Sequence, residues 1–463
     1  MPKSYLSDEP ACQRAERNFF DPYLQVVSRL RALTHMGHAT DKIELIVLGG
    51  TWCDYPPDYQ IWFITELFRA LNDGQYAERR AKRRRKEYKT ATFTPESETG
   101  MDALLQEQVY NETAQHRVVG LTVETRPDLI TVDKLIGFRR LGCTRVQIGV
   151  QSLDPEILRM NRRHTSPEQI SGAFALLRLF GFKIHAHFML NLYGSSLEQD
   201  REDYLRLVTD PAYLPDEIKL YPCSLVANTG LVEHHRDGSW QPYTEDQLID
   251  LLATDTLNTP PFMRISRMIR DISAHDILAG SNRTNLRQMV EQRIEQSGRA
   301  ADIQEIRYRE INTADVDFKT LRLETVPYAT TVSSEYFLQW VTPENRIAGF
   351  LRLSLPKEDA IAGLLVPRDP GSVLGMTGEG MLPINPGEAM IRELHVYGRA
   401  ARISEAGEKV QHLGLGKQLI DAACAIARQE GYAKLNVISS VGTREYYRKR
   451  GFEDTELYQQ LPL

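Results

Sequence analysis

Through the first 295 or so residues, short β-rich runs alternate with longer helical patterns at a spacing of roughly 35 residues; nothing else in the chain constrains the fold as tightly. The runs are residues 43–48, ending in Gly49-Gly50; 118–123, ending in Glu124-Thr125-Arg126-Pro127; 145–150, ending in Gln151-Ser152; 183–190, carrying His185 and His187; and 217–221, leading into Pro222. Helix starts are readable between them. Asp154-Pro155 supplies a cap and a first-turn proline, and Ser166 with Gln169 and Thr244 with Gln247 form capping boxes. Strands separated by helices pair in parallel, because a crossover returns the chain to the edge it left. The pattern predicts an α/β fold, an incomplete (β/α) barrel over residues 1–295, with polar residues gathered at the strand ends where such barrels carry their chemistry.

Residues 296–318 are polar and charged and read as a linker. From Leu321 the pattern becomes β-rich, with runs at 336–341 and 347–353. Further on come a strand pattern at 391–397, the turn Gln411-His412-Leu413-Gly414-Leu415-Gly416-Lys417, an apolar-striped helix over 418–430, a strand at 435–439 and a last helical stretch at 443–452. A glycine-bearing turn that opens a helix leaves backbone N–H groups free, and the helix dipole adds partial positive charge. Such a turn suits a pyrophosphate, with Lys417 adding a cation. Alone, such a turn is more often just a tight turn than a ligand site.

At 463 residues, with 42% hydrophobic and 25% charged residues, the chain has material for two or three domains. No apolar run approaches the roughly 20 residues that span a bilayer, and the N-terminus has no signal-peptide core, so a cytoplasmic protein is expected. Five scattered cysteines, Cys12, Cys53, Cys143, Cys223 and Cys424, lack the spacing of a disulfide framework or a zinc knuckle. The net charge of −6 announces no nucleic acid globally, so a polyanion site has to be local. Residues 79–89 place eight cations in eleven positions, among them Arg83, Arg84, Arg85 and Lys86. A second basic set lies at Arg264, Arg267, Arg270, Arg283 and Arg287. Such runs are ordinarily solvated surface; brought to one face, the two sets would release counterions from a phosphate backbone.

The order strand, glycine turn, helix, strand, helix in the last 145 or so residues resembles the acyl-CoA-binding half of GNAT acetyltransferases. The first half carries Ser4-Tyr5 with Glu9-Pro10-Ala11, Asp21-Pro22-Tyr23-Leu24-Gln25, Gly37-His38 with Asp41-Lys42, Gly49-Gly50-Thr51, Glu124-Thr125-Arg126-Pro127-Asp128, residues 145–152 and Asn161-Arg162-Arg163-His164-Thr165. With Arg392-Glu393-Leu394-His395-Val396-Tyr397-Gly398, these motifs make the chain similar, over nearly its whole length, to the catalytic-subunit family of Elongator.

That resemblance implies a radical-SAM-type barrel joined to a GNAT domain over 319–463, which together place a carboxymethyl group on the wobble uridine (U34) of tRNA. Acetyl-CoA and S-adenosylmethionine are the implied cofactors, with a [4Fe-4S] cluster, and the tRNA anticodon stem-loop is the implied partner. Neither membrane nor DNA is expected, and a homodimer is left open. The family places three cluster cysteines just upstream of the Ser-Tyr signature; here Met1 stands almost directly before it, so a chain truncated before that motif and unable to complete the radical step is expected. Relatives often carry a Cys-x-Cys zinc element where this chain has Ile303 and Glu305, so no zinc site is expected.

By the same resemblance Lys42, Glu393, Tyr446 and Tyr447 are catalytic candidates. Lys42, the strand Glu393, Leu394, His395 and Val396, the turn Gln411, Gly414, Leu415, Gly416 and Lys417, and Tyr447 are expected to hold acetyl-CoA. Glu393 is a candidate base, and Tyr446 or Tyr447 a candidate acid toward the departing thiolate. Glu124, Arg126, Gln151 and Lys219 are candidates for the S-adenosylmethionine pocket, and Arg83, Arg84, Arg85, Lys86, Arg264, Arg267 and Arg270 for tRNA. His185 and His187 alternate along one strand and are expected to be a satisfied interior pair, not metal ligands. The competing readings are a protein-lysine acetyltransferase, for which the last domain alone would suffice, and a tRNA-binding scaffold with a vestigial acetyl-CoA site.

Overall fold

In the computed structural model, which describes residues 6–93, 100–270, 272–311, 318–362, 384–397 and 414–463, the first half builds eight strands. They are β1 (Lys42–Ile46), β2 (Arg117–Thr125), β3 (Arg145–Gln151), β4 (Lys183–Leu190), β5 (Glu217–Pro222), β6 (Leu225–Val226), β7 (Arg264–Arg267) and β8 (Ile277–Ala279). Six of these form one sheet in the order β1-β2-β3-β4-β5-β7, every neighbour parallel, while β6 and β8 pair separately. A parallel sheet whose strands follow chain order curls toward a barrel, and six strands leave it open: the expected incomplete barrel. The read starts hold, since Asp154, Ser166 and Thr244 each cap their helices, the last two as full capping boxes.

The second sheet runs β14-β15-β13-β12-β11-β10-β9 and is mixed. Its strands are β9 (Arg322–Ala329), β10 (Ser333–Val341), β11 (Ile347–Pro356), β12 (Glu388–Val396), β13 (Lys434–Val437), β14 (Glu453–Asp454) and β15 (Gln459–Pro462). All ten residues of β11 are buried, although it is an antiparallel strand. The reason is that both faces are covered. Leu351, Leu353 and Leu355 join Leu419, Ile420 and Ala423 of the helix Leu415–Gln429 in one apolar cluster. Phe350 faces the other way, into the cluster that fills the barrel half.

The joint between the halves is therefore core rather than a hinge. Gly442 packs so closely on β2 that a Cβ there would stand 2.8 Å from the Val118 carbonyl oxygen. The buried Arg139 donates to the Leu457 carbonyl at 2.8 Å, and Tyr458 Oη to the Phe180 carbonyl at 2.9 Å. Arg392 donates to Asp216 Oδ1 at 3.1 Å and to the Phe182 carbonyl at 2.9 Å, and Arg352 donates to the Phe262 carbonyl at 2.6 Å.

The stretch read as a polar linker is packed in its described part. Ile303 and Ile306 are buried, and the fully buried Glu305 accepts from the Ile265 N–H at 2.7 Å and the Tyr308 N–H at 2.8 Å. Polarity signalled solvent there, whereas the carboxylate stitches the chain to β7. A buried acceptor with two donors satisfied reads in sequence like any exposed glutamate.

A candidate thioester site at the joint of the two halves

β12 pairs with β13 only from Glu388 to Ile391, and past that point the two strands separate. On its other side β12 stays paired with β11 as far as Val396. The edge of residues 393–396 that faces β13 therefore keeps its backbone groups for a guest, as an extended amide arm would use them. The opening is walled by Glu393, Leu394 and His395 of β12 and by Ile438, Ser439 and Ser440, which follow β13, with Tyr447 beside them.

At the mouth, Gly414 caps the helix Leu415–Gln429 in the left-handed region at φ +51°, which explains glycine there. Leu415 is buried and anchors the first turn, while Lys417 is exposed. A Cβ at Gly416 would stand 2.5 Å from the Tyr446 hydroxyl, so that phenol lies against the turn. Tyr446 and Tyr447 occupy different faces of the helix Arg444–Arg448, as adjacent helical residues do: Tyr447 is buried and Tyr446 half-buried. Burial pushes both phenols above their ordinary pKa, so both keep their protons at neutral pH. Gln411 lies outside the described residues.

The barrel supplies the remaining walls. Glu44 of β1, Gly120 and Thr122 of β2, Arg145 of β3 and Lys183 of β4 line the same cavity, of about 130 Å³. Arg145 and Lys183 open their strands, and Thr122 of β2 pairs with Arg145, so this wall lies at the N-terminal end of β3 and β4, opposite the rim expected to carry the barrel's chemistry. Lys42 is exposed on the same face of β1 as Glu44, two residues back, and lies outside the cavity's described walls.

Glu393 is not placed as a free base. Lys183 Nζ stands 2.5 Å from its Oε1 and Arg352 Nε 2.8 Å from its Oε2. Burial opposes its ionisation, but Lys183 and Arg352 outweigh that and hold the carboxyl below the ordinary glutamate range. Lys183, Arg145 and Arg352 were not singled out in the sequence. The available signal was Lys183, His185 and His187 at alternate positions of an otherwise apolar strand.

Inside the barrel those alternate residues meet polar partners. His185 Nε2 is 2.8 Å from Ser266 Oγ, and His187 Nε2 is 3.0 Å from Gln147 Oε1. Burial holds both imidazoles well below their ordinary pKa, hence neutral. Lys219 Nζ donates to Gln147 Oε1 at 2.8 Å, and burial lowers its pKa to about 8. Glu124 Oε1 lies 3.7 Å from His187 Nδ1, so Glu124, His187, Gln147 and Lys219 form one group. Arg126 is instead paired with Asp128 at 3.0 Å, and Gln151 stands at a bulge of β3 with φ +71°.

The basic residues divide. On the helix Ala77–Lys89, Arg79, Lys82, Arg83, Lys86 and Lys89 are exposed, along one face. Arg84 is buried on the opposite face with Ala77 and Ala81; it pairs with Asp21 at 3.3 Å and with Glu66, and its guanidinium lies over the Tyr23 ring. It is a core cation, not a phosphate contact. Arg85 is half-buried and donates to Asn18 Oδ1 at 2.9 Å. Arg264 is likewise taken up at the joint, 2.7 Å from Glu310. Arg267 is exposed, and Arg270 bonds Glu9 at 2.9 Å.

The five cysteines do not assemble. Cys53 accepts from Thr125 Oγ1 at 3.1 Å, Cys143 is buried with its thiol 3.1 Å from the Arg145 carbonyl, and Cys424 belongs to the second apolar cluster. The one group of three metal-capable side chains among the described residues, Asp8, His275 and Asp276, contains no cysteine. These residues do not fit a [4Fe-4S] cluster.

A parallel half-barrel whose first four strands wall the cleft of a mixed sheet opened by a glycine turn and helix defines a two-domain class: a radical-SAM-type unit fused to an acyl-CoA-binding unit. Family comparison gives the same division. The chain matches the Radical SAM superfamily over residues 12–208, the Radical SAM C-terminal domain over 215–296 and the GNAT acetyltransferase domain over 407–460. It is 36% identical over 460 residues to the tRNA uridine(34) acetyltransferase of Dehalococcoides mccartyi, covering 98% of this chain and 90% of that one. To human Elongator complex protein 3 it is 32% identical over 455 residues, 97% of this chain and 75% of the relative. The solved structure of archaeal Methanocaldococcus infernus Elp3 with an N-terminal deletion superposes with a TM-score of 0.80 at 32% identity, over 96% of each chain. The chain belongs to the family of tRNA uridine(34) acetyltransferases and Elongator complex protein 3.

Proposed function

We propose that this protein uses acetyl-CoA to modify the wobble uridine of tRNA, cleaving the thioester in the cavity between its halves when the anticodon stem-loop is bound. The observation that carries the reading is the composite cavity: Glu44, Thr122, Arg145 and Lys183 of the barrel face Glu393, Leu394 and Tyr447 of the acetyltransferase sheet. A protein-lysine acetyltransferase has no use for those barrel walls.

In this reading the pantetheine arm pairs with the open edge of residues 393–396, and the pyrophosphate rests on the turn at Gly414, Leu415, Gly416 and Lys417. Lys42 reaches the cofactor from β1. Water adds to the thioester carbonyl carbon, the C–S bond breaks, and a phenol gives a proton to the departing thiolate. Free CoA leaves and the acyl group becomes a carboxylate, held on the uridine where its methyl carbon has been joined to the base and released as acetate where it has not. Tyr447, which borders the cavity, is the donor; Tyr446 is set to orient the pyrophosphate turn. The exposed face of the helix Ala77–Lys89 and Arg267 take the phosphate backbone by counterion release. Glu124, Gln151 and Lys219 are set to receive S-adenosylmethionine, whose chemistry when bound is to supply a radical; the cysteines described above do not provide its cluster. No helix among the described residues is long and apolar enough to cross a membrane.

The test is the fate of label from acetyl-labelled CoA, incubated with tRNA or with a lysine-bearing peptide. Label carried into tRNA, or released as acetate only when tRNA is bound, supports the reading. Label on the peptide, indifferent to tRNA, overturns it.

A further inference from the structure

Arg392 is the extra residue of a bulge in β12, since Arg352 pairs with Glu393 while Leu353 pairs with Ile391. In a regular strand, successive side chains point to opposite faces. The bulge cancels that alternation, so Arg392 and Glu393 both reach the barrel, Arg392 at Asp216 and Glu393 at Lys183. Lys183, the first residue of β4, stands 2.5 Å from Glu393 Oε1 and 2.9 Å from Glu217 Oε1, and the side chains of Lys183 and Glu393 are only 14% and 13% exposed. The second oxygen of Glu393 is taken by Arg352, 2.8 Å away on β11. One carboxylate of the acetyltransferase sheet is thus gripped by one cation from each half of the molecule.

We propose that Lys183 is a positioning residue for thioester cleavage: from the barrel side it fixes Glu393 as an oriented, ionised carboxylate that accepts a hydrogen bond from the attacking water. The inference rests on the proposed thioester reaction and adds the barrel residue it requires. A carboxylate offers about four acceptor directions, of which Lys183 and Arg352 occupy two, leaving room for water. A carboxylate so gripped aligns water better than it deprotonates it, because its proton affinity is low.

The other charged and titratable groups around this pair are Glu44 of β1, Arg145 of β3, His185 of β4, Glu217 of β5, Arg264 of β7, His395 of β12, and Glu310 and Tyr397 at the joint. His185 is neutral, Glu310 is engaged by Arg264, and Arg145 pairs with Glu44 at 3.3 Å and Glu217 at 3.2 Å. Lys183 is therefore the barrel cation in direct contact with Glu393 among the described residues. Removing it leaves Arg352 alone to oppose the cost of burying the charge.

The experiment is the pH profile of tRNA-stimulated CoA thiol release for the full chain, for Lys183→Met and for Lys183→Arg, each checked for an intact melting transition. Lys183→Met is expected to lower kcat about tenfold, as loss of one positioning contact does, with KM for acetyl-CoA changed less than about twofold. Its acid limb is expected at higher pH than in the wild type, because Glu393 then takes a proton more readily, and Lys183→Arg is expected to restore the limb. An unchanged kcat and limb in Lys183→Met overturns the inference while leaving thioester cleavage standing. Equal loss in both variants with an unmoved limb also overturns it, as the signature of a structural role. A wild-type chain that releases no thiol overturns the thioester reading and this inference together.

Discussion

The Tyr446 hydroxyl occupies the space a side chain at Gly416 would need, 2.5 Å from where its Cβ would stand. The glycine turn and the last helix are therefore one fitted unit. Gly416→Ala is expected to displace Tyr446 and weaken acetyl-CoA binding about tenfold without unfolding the chain. With Tyr446→Phe added, the next atom near that Cβ, the ring carbon Cζ, is 3.7 Å away, so part of the defect is expected to disappear. A double-mutant cycle on CoA affinity checks this; strictly additive losses would show that the two residues are not coupled.

Arg84 and its exposed neighbours on the same helix are expected to behave oppositely. Arg84→Ala leaves Asp21 without its arginine and Glu66 with Arg69 as its remaining cation, and is expected to cost about 3 kcal/mol of stability, read from denaturant unfolding. Replacing Arg79, Lys82, Arg83 and Lys86 together with alanine is expected to spare the melting transition. Binding of tRNA should weaken, and the slope of log affinity against log salt should flatten by about 3. An unchanged slope would return that face to solvated surface.

Burial brings the Lys219 ammonium down to about 8. A lysine with a depressed folded pKa loses its charge as pH rises through that value, so affinity for S-adenosylmethionine is expected to fall between pH 7 and 9 if Lys219 receives its carboxylate. Equilibrium binding by calorimetry checks it, and a Lys219→Arg variant should show a flat profile over the same range. A wild-type profile that is already flat would remove Lys219 from the pocket.

Asp255 is fully buried, and neither carboxyl oxygen has a hydrogen-bond partner among the described residues. Burial first, then the nearby Asp200, push its pKa well above the ordinary value. For an acid raised in the folded state, the unfolded chain ionises first, so stability is full below the unfolded pKa near 4 and declines as pH rises from there toward the folded value. Asp255→Asn removes that decline. Its melting temperature is expected to exceed the wild type's at pH 7 and to converge with it near pH 4; a constant offset would contradict the assignment.

Periodicity made the barrel and the acetyltransferase unit legible, because alternation of strand and helix and the glycine turn are local properties. The half-barrel strands at 43–48, 118–123, 145–150, 183–190 and 217–221 all appear, with ends shifted by a residue or two. What local pattern does not carry is partnership. Arg84 and Arg264 read as surface cations because their carboxylate partners, Glu66 and Glu310, are distant in sequence or belong to another element. Glu305 read as linker for the same reason. Glu393 read as a base because nothing near it in sequence announces Lys183, 210 positions earlier.

The measurement that most directly tests the central claim is the initial rate of CoA thiol release at saturating acetyl-CoA, titrated with unmodified tRNA. If the halves form one site, the rate rises severalfold and saturates, and single-stranded RNA without a stem-loop leaves it at the basal value. A rate that ignores tRNA at every concentration would contradict the account, since it would leave the barrel walls of the cavity without a role.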